Sequence, residues 1–285
     1  MPSKFIQLRR QATDYFFTGL AAGLSVLVVG ALVAILAYLV LRGAGSLNWA
    51  FLTQIQKPVG ESGGGMANGL VGSVLILAIA SCIGVPIGIG AGVYLAEFGR
   101  GRLGKLVRFT ADVLNGVPSI VIGMVAWGLV VVQQKHFSAF AGGVALAIMM
   151  IPTVTRATEE MLLLVPQSVR EAALGLGIPQ WRTIVSITLP SARAGIITGV
   201  MLAFARVAGE TAPLLFTSFG NQFWSFSPNQ PIAAVPLQIF TYAISPFEEW
   251  HRQAWAGALM LVLFIVGTTT LVRFVFLRRM LGGAR

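Results

Sequence analysis

Charged side chains are missing from this chain over stretches as long as a bilayer is thick. Between Asp14 and Arg42 lie 27 residues with none, and a helix needs about 20 apolar residues to cross a membrane. The run 17–41 is the first such stretch, and a second reaches from about Asn68 to Ala96. Further runs separate Asp112 from Lys135 (22 residues), His136 from Arg156 (19) and Arg252 from Arg273 (20). Another, 194–217, contains Arg206 and Glu210. Six spans are the simplest count, the third the weakest because Asn115 and Pro118 interrupt its start. Only 11% of the residues are charged, against about 25% in soluble domains. An ordinary cytosolic enzyme, a disordered chain and a free-standing nucleic-acid binder are thereby excluded. The expected fold class is an all-α polytopic membrane protein with six transmembrane helices.

Lys and Arg set the orientation. With the N-terminus inside, only Arg42, Lys57, Lys135 and Arg252 fall outside, 15 fall inside and Arg206 lies within a span. Such a positive-inside bias predicts both termini in the cytoplasm. A signal peptide starting at Lys4, Arg9 and Arg10 fits less well, because the apolar stretch exceeds a 7–15-residue core and Arg42 follows it. The expected organisation is a cytoplasmic N-terminus and first span over 1–43 and an external loop over 44–66. A core of spans two to six covers 67–276, and a basic cytoplasmic tail covers 277–285. Within the core, 156–193 forms an inner loop and 218–252 an outer one. Glu61 to Gly65 reads as a flexible turn.

Several patterns look like chemistry and are better read otherwise. Gly99 to Gly104 fits G-x-G-x-x-G, but Leu106 stands where a phosphate-binding loop needs Ser or Thr after Lys105. A tight basic turn is expected. Glu248-x-x-His251 is half of a di-iron motif without its second copy. One cysteine, Cys82, and two distant histidines, His136 and His251, make no metal cluster. Gly84, Gly88 and Gly92 recur every four residues, a small-residue stripe that lets another helix approach closely.

The inner loop carries a sharper signal. Residues 158–164 look amphipathic, Pro166 resets the chain, and Ser168 to Glu171 fits a capping box that opens a short helix. Gly175 and Gly177 end it, and Pro179 opens a second helix over 180–189 that stops at Pro190. The result is a helix–glycine–helix elbow with Ala172, Ala173 and Leu174 exposed. Such an elbow suits docking in a partner's groove, and equally suits resting on lipid headgroups.

Glu171-Ala172-Ala173 is followed after three residues by Gly177, after nine more by Ile187, and after one by Leu189-Pro190. This arrangement resembles the EAA signature of the binding-protein-dependent (type I) ABC importer permease family. Further segments are similar to its phosphate-importer members: Gly116-Val-Pro-Ser-Ile-Val121, Arg156 before Glu159-Glu160, Ala205 to Phe216, Asn221 to Trp224 and Ser245 to Trp250. The resemblance implies a MetI-like fold in the bacterial inner membrane, with the elbow as the coupling helix on a separate ATPase. It also implies a second homologous permease subunit, two ATPase subunits, an external phosphate-binding protein, inorganic phosphate as cargo and no nucleic acid. The chain itself would bind no cofactor, ATP being held by the ATPase. It would be a permease with no catalytic residue and no metal ligand. The implied coupling residues are Glu171, Ala172, Ala173, Gly177, Ile187, Leu189 and Pro190.

Arg206 and Glu210 supply an argument from the residues themselves. At a helix centre each costs about 2.5–3.5 kcal/mol on insertion scales, so they are expected to face a cavity or each other. Their i, i+4 spacing allows a structural pair. An anion path is the other reading, since an Arg fork meets oxyanions bidentately. Arg156, at the inner mouth of the fourth span, is either a receiver of the anion or a positive-inside anchor. A permease for molybdate or sulfate and a secondary transporter are the rival functions. The outer loop's Phe219, Phe223, Trp224, Phe226 and Trp250 form either an aromatic belt on lipid or part of an external gate.

Overall fold

The computed structural model describes residues 4–58, 61 and 63–282; Ser62 of the external turn and Arg285 of the tail lie outside them. In chain order the helices begin with α1 Lys4–Gly43, α2 Trp49–Thr53, α3 Ala67–Glu97 and α4 Arg102–Gly116. Next come α5 Ser119–Ala126 and, after a π turn Trp127–Val131, α6 Val132–Gln134. α7 Ala139–Leu163, α8 Gln167–Gly175 and α9 Gln180–Thr183 follow; a second π turn, Ile184–Thr188, leads into α10 Leu189–Ala208. The chain continues through α11 Ala212–Thr217, α12 Val235–Ala243 and α13 Glu248–Gly282.

Five stretches are long and apolar enough to cross a membrane: Thr13–Ser46, Ala67–Glu97, Ala139–Leu163, Gln180–Ala208 and Glu248–Val275. A sixth is broken. Arg102–Gly116 and Ser119–Gln134 meet at 108°, where Val117 is extended ahead of Pro118, as the proline ring requires. The interruption expected at Asn115 and Pro118 is therefore a sharp bend, with α4 turned away from the span that follows.

The core forms where glycine lets backbones meet. α3 lies along α7, and a Cβ at Gly88 would stand 2.7 Å from that of Val154; Gly84 and Gly92 face Met150 and Thr158 in the same way. The glycine stripe is thus a packing seam. Around it Ile76, Leu77, Ala80, Leu146, Met150 and Val154 are buried together with Ala203, Val207 and Leu214 of α10 and α11. α1 instead packs chiefly on α13, through Tyr38 edge-on to Trp255 and Gly43 against Trp255 and Leu259. Most of its apolar surface is exposed.

Three boundaries differ from the sequence expectation. Residues 158–164 are not a separate amphipathic piece of the inner loop, because α7 continues through Arg156 to Leu163. The helix opening at Gln180 does not stop at Pro190 but runs on into α10. The π turn before it resets the register, so Pro190 falls in the first turn of a new α segment, where its missing N–H is not needed. The run 194–217 is not one helix: α10 ends at Ala208, and α11 begins at Ala212. Gly123 packs on Pro213, and Gly142 packs on Leu214, so α11 sits between α5 and α7.

Candidate coupling elbow and translocation path

The elbow opens two residues earlier than the capping box implies. Pro166 is the N-cap of α8 and no side chain caps it. Its far end is a Schellman closure: Gly177 N–H donates to Leu174 O at 2.9 Å and Ile178 N–H to Ala173 O at 3.2 Å. Gly177 has φ +78°, a conformation that costs an L-residue about 1–2 kcal/mol. Glu171, Ala172 and Leu174 are exposed, as are Leu176 and Trp181. Ala173 is not: it is buried, which corrects its place on the docking face. Arg170 explains the difference. It shares Ala173's face, three residues apart, and its Nη2 donates to Leu162 O at 2.6 Å while Nη1 pairs with Glu97 at 3.0 Å. That side of α8 is held against the ends of α7 and α3. Ile187 and Leu189 are half-buried and Pro190 is exposed along the second arm.

Deeper in, four charged groups interlock. Arg108 of α4 pairs with Glu159 of α7 and donates to Gly99 O and Leu95 O, at 2.8 and 3.0 Å. Arg156 pairs with Glu159 and with Asp112, each at 2.9 Å. Thr153 Oγ1 donates to Asn115 Oδ1 one turn further along. Glu159 is only 3% exposed, so its charge survives burial because two guanidinium groups face it. Two cations and two anions leave the cluster neutral, and Arg156 is fully engaged within it. Sequence spacing could reveal Arg156–Glu159 at i, i+3, but not Arg108, 51 residues away.

Arg206 is not half-way along its span. It stands in the last turn of α10, exposed, beside the break that follows. Glu210 lies beyond the helix end, where Gly209 and Glu210 donate backbone bonds to Arg206 and Val207 carbonyls. The i, i+4 geometry is therefore lost, and among the described residues the two side chains make no ion pair. Arg206 is left as an exposed cation at the C-terminal end of the span, next to the short helix α11.

The outer loop folds inward more than an aromatic belt would. Asn68 of α3 donates to Asn221 O at 2.9 Å and accepts from Gln238 Nε2 at 3.0 Å; Ser73 Oγ accepts from Val235 N–H at 2.8 Å. Ile232 to Leu237 are nearly all buried. Tyr242 donates to Gln56 Oε1 at 3.0 Å, and burial pushes its phenol well above the usual range. Phe223, Trp224 and Phe226 remain exposed at the tip, with Trp224 and Phe226 stacked.

A bundle of membrane helices with a broken span, carrying a glycine-jointed elbow between α7 and α10, has the architecture of a transport permease subunit. The chain belongs to the family of binding-protein-dependent transport system inner membrane components, whose pattern matches residues 84–280. Within it, the chain is 48% identical over 249 residues to the phosphate transport system permease protein PstA of Yersinia pestis, covering 87% of this chain and 84% of that one. It is 49% identical over 243 residues to the PstA of Pasteurella multocida, covering 85% and 86%. In three dimensions it is similar to a chain of the inward-facing MetNI methionine ABC transporter, with a TM-score of 0.59 at 16% identity over 77% of this chain and 98% of that one. That likeness concerns the fold alone.

Proposed function

We propose that this chain is the permease subunit through which an ATP-driven importer moves inorganic phosphate into a bacterial cell. The observation that carries the reading is the identity of 48–49%, over 85–87% of the chain, to permeases of phosphate transport systems. On this reading the chain is an inner-membrane protein with both termini in the cytoplasm. A second, homologous permease completes the path, two ATPase subunits bind and hydrolyse ATP, and an external binding protein delivers phosphate. The exposed face Glu171, Ala172, Leu174 and Leu176 meets the ATPase. Arg206 offers the entering anion a cation that is not tied up in an ion pair among the described residues, and the charge of Glu210 nearby in the chain keeps the attraction weak enough for the ion to leave. Arg156 works from inside its neutral cluster as part of the inner wall.

Reconstitution of the full complex in proteoliposomes, with ATP inside and binding protein outside, tests the reading. ATP-dependent accumulation of radiolabelled phosphate is expected. Accumulation of molybdate or sulfate in its place would overturn the substrate, and uptake driven by an ion gradient without ATP would overturn the mechanism.

A further inference from the structure

A second buried ion pair lies apart from the four-charge cluster. Arg170 and Glu97 have side chains only 13% and 8% exposed, so both charges have left water. Burying a pair is costly unless geometry is good and the remaining groups are satisfied. Here Arg170 Nη1 lies 3.0 Å from Glu97 Oε1, and Nη2 donates to Leu162 O at 2.6 Å. A buried ion pair adds little to stability by itself, so its presence calls for an explanation beyond folding.

Its position supplies one. Glu97 is the last residue of α3, Leu162 lies in the last turn of α7, and Arg170 on α8 grips both. α3 and α7 are themselves locked along the glycine seam. The other end of α8 closes at Gly177, where an added Cβ would meet nothing within 4 Å and the chain passes to α9 through a single left-handed residue. We propose that Arg170 is the positioning residue that carries movement of the elbow into the α3–α7 pair, with Gly177 as the joint that frees α8 from α9 and α10. This rests on the importer reading above. A push on the exposed face of α8 turns the elbow about Gly177, and the Arg170 fork transmits it to two helix ends at once.

The test is the ratio of phosphate imported to ATP hydrolysed by the reconstituted complex. Arg170→Gln alone strands Glu97, so the decisive variant is the double change Arg170→Gln with Glu97→Gln, which leaves no lone buried charge. It is expected to co-purify the ATPase at wild-type yield and to hydrolyse ATP, while imported phosphate per ATP falls about tenfold, the size of an ordinary coupling. Arg170→Lys, which keeps the charge but not the fork, should recover part of that ratio. An unchanged ratio in the double variant would overturn the inference. So would loss of ATPase co-purification, which would make the pair a folding element only. Wild-type vesicles that ignore phosphate would overturn the substrate assigned above; the ratio is then read on the oxyanion they import.

Discussion

Arg108 meets Glu159 across 51 residues of chain, and the same guanidinium takes the carbonyl oxygens of Gly99 and Leu95. One side chain thus ends α3, fixes α4 and neutralises a buried acid on α7. Arg108→Ala removes a charge-assisted bond to Glu159 and uncovers two carbonyls. Arg156 still holds the acid, so the expected loss is about 2 kcal/mol, read as a lower melting temperature of the detergent-purified complex. Arg108→Lys should lose less. Equal stability of Arg108→Ala and wild type would refute the clamp.

The glycine seam makes a contrast within one helix. A Cβ at Gly88 meets Val154, while one at Gly90 meets nothing within 4 Å. Gly88→Val should overpack the α3–α7 seam and cost about 1–3 kcal/mol or more, with poor yield of assembled complex. Gly90→Val should be tolerated. Equal yields of the two variants would count against the seam.

Gly177 is open to side chains but closed to their backbone preference, since its φ is +78°. Gly177→Val should therefore distort the elbow by strain and not by collision. Span insertion is expected to remain normal while ATPase co-purification falls several-fold. Gly175→Ala, in ordinary helical backbone, is the matched control. Normal co-purification and uptake with Gly177→Val would remove the elbow's joint from the account.

Arg206 has no carboxylate partner among the described residues, so Arg206→Gln strands nothing. The variant should assemble at wild-type yield yet import phosphate about tenfold more slowly, a loss of one charge-assisted contact. If assembly fails instead, and adding Glu210→Gln restores both assembly and uptake, the two side chains are a structural pair and the path role falls.

The spans were legible because absence of charge over twenty residues has few other meanings, and the seam because glycine at every fourth position lies on one helix face. The elbow was legible from Pro166, Gly177 and Pro179, each of which restricts or frees the backbone locally. What escaped depends on distant partners. Nothing near Arg170 in sequence says that Glu97 and Leu162 wait for it, so Ala173 was placed on the wrong face. The end of α10 at Ala208 is set by the seat of α11 between α5 and α7, and moving that end took Arg206 from mid-span to the C-terminal end. Asn68 and Gln238 are 170 residues apart, and only folding shows that the outer loop is sewn to α3.

The pairing of α1 with α13 has a consequence in time. Gly43 packs on Trp255 and Leu259, more than two hundred residues downstream. At roughly 5–20 residues per second of synthesis, α1 waits on the order of ten to forty seconds in lipid before that surface exists. Other helices find their main neighbours sooner: the glycine seam of α3 is filled as soon as α7 follows. The first of the described spans is thus among the last to be secured, and for that interval its long apolar surface is held by lipid alone.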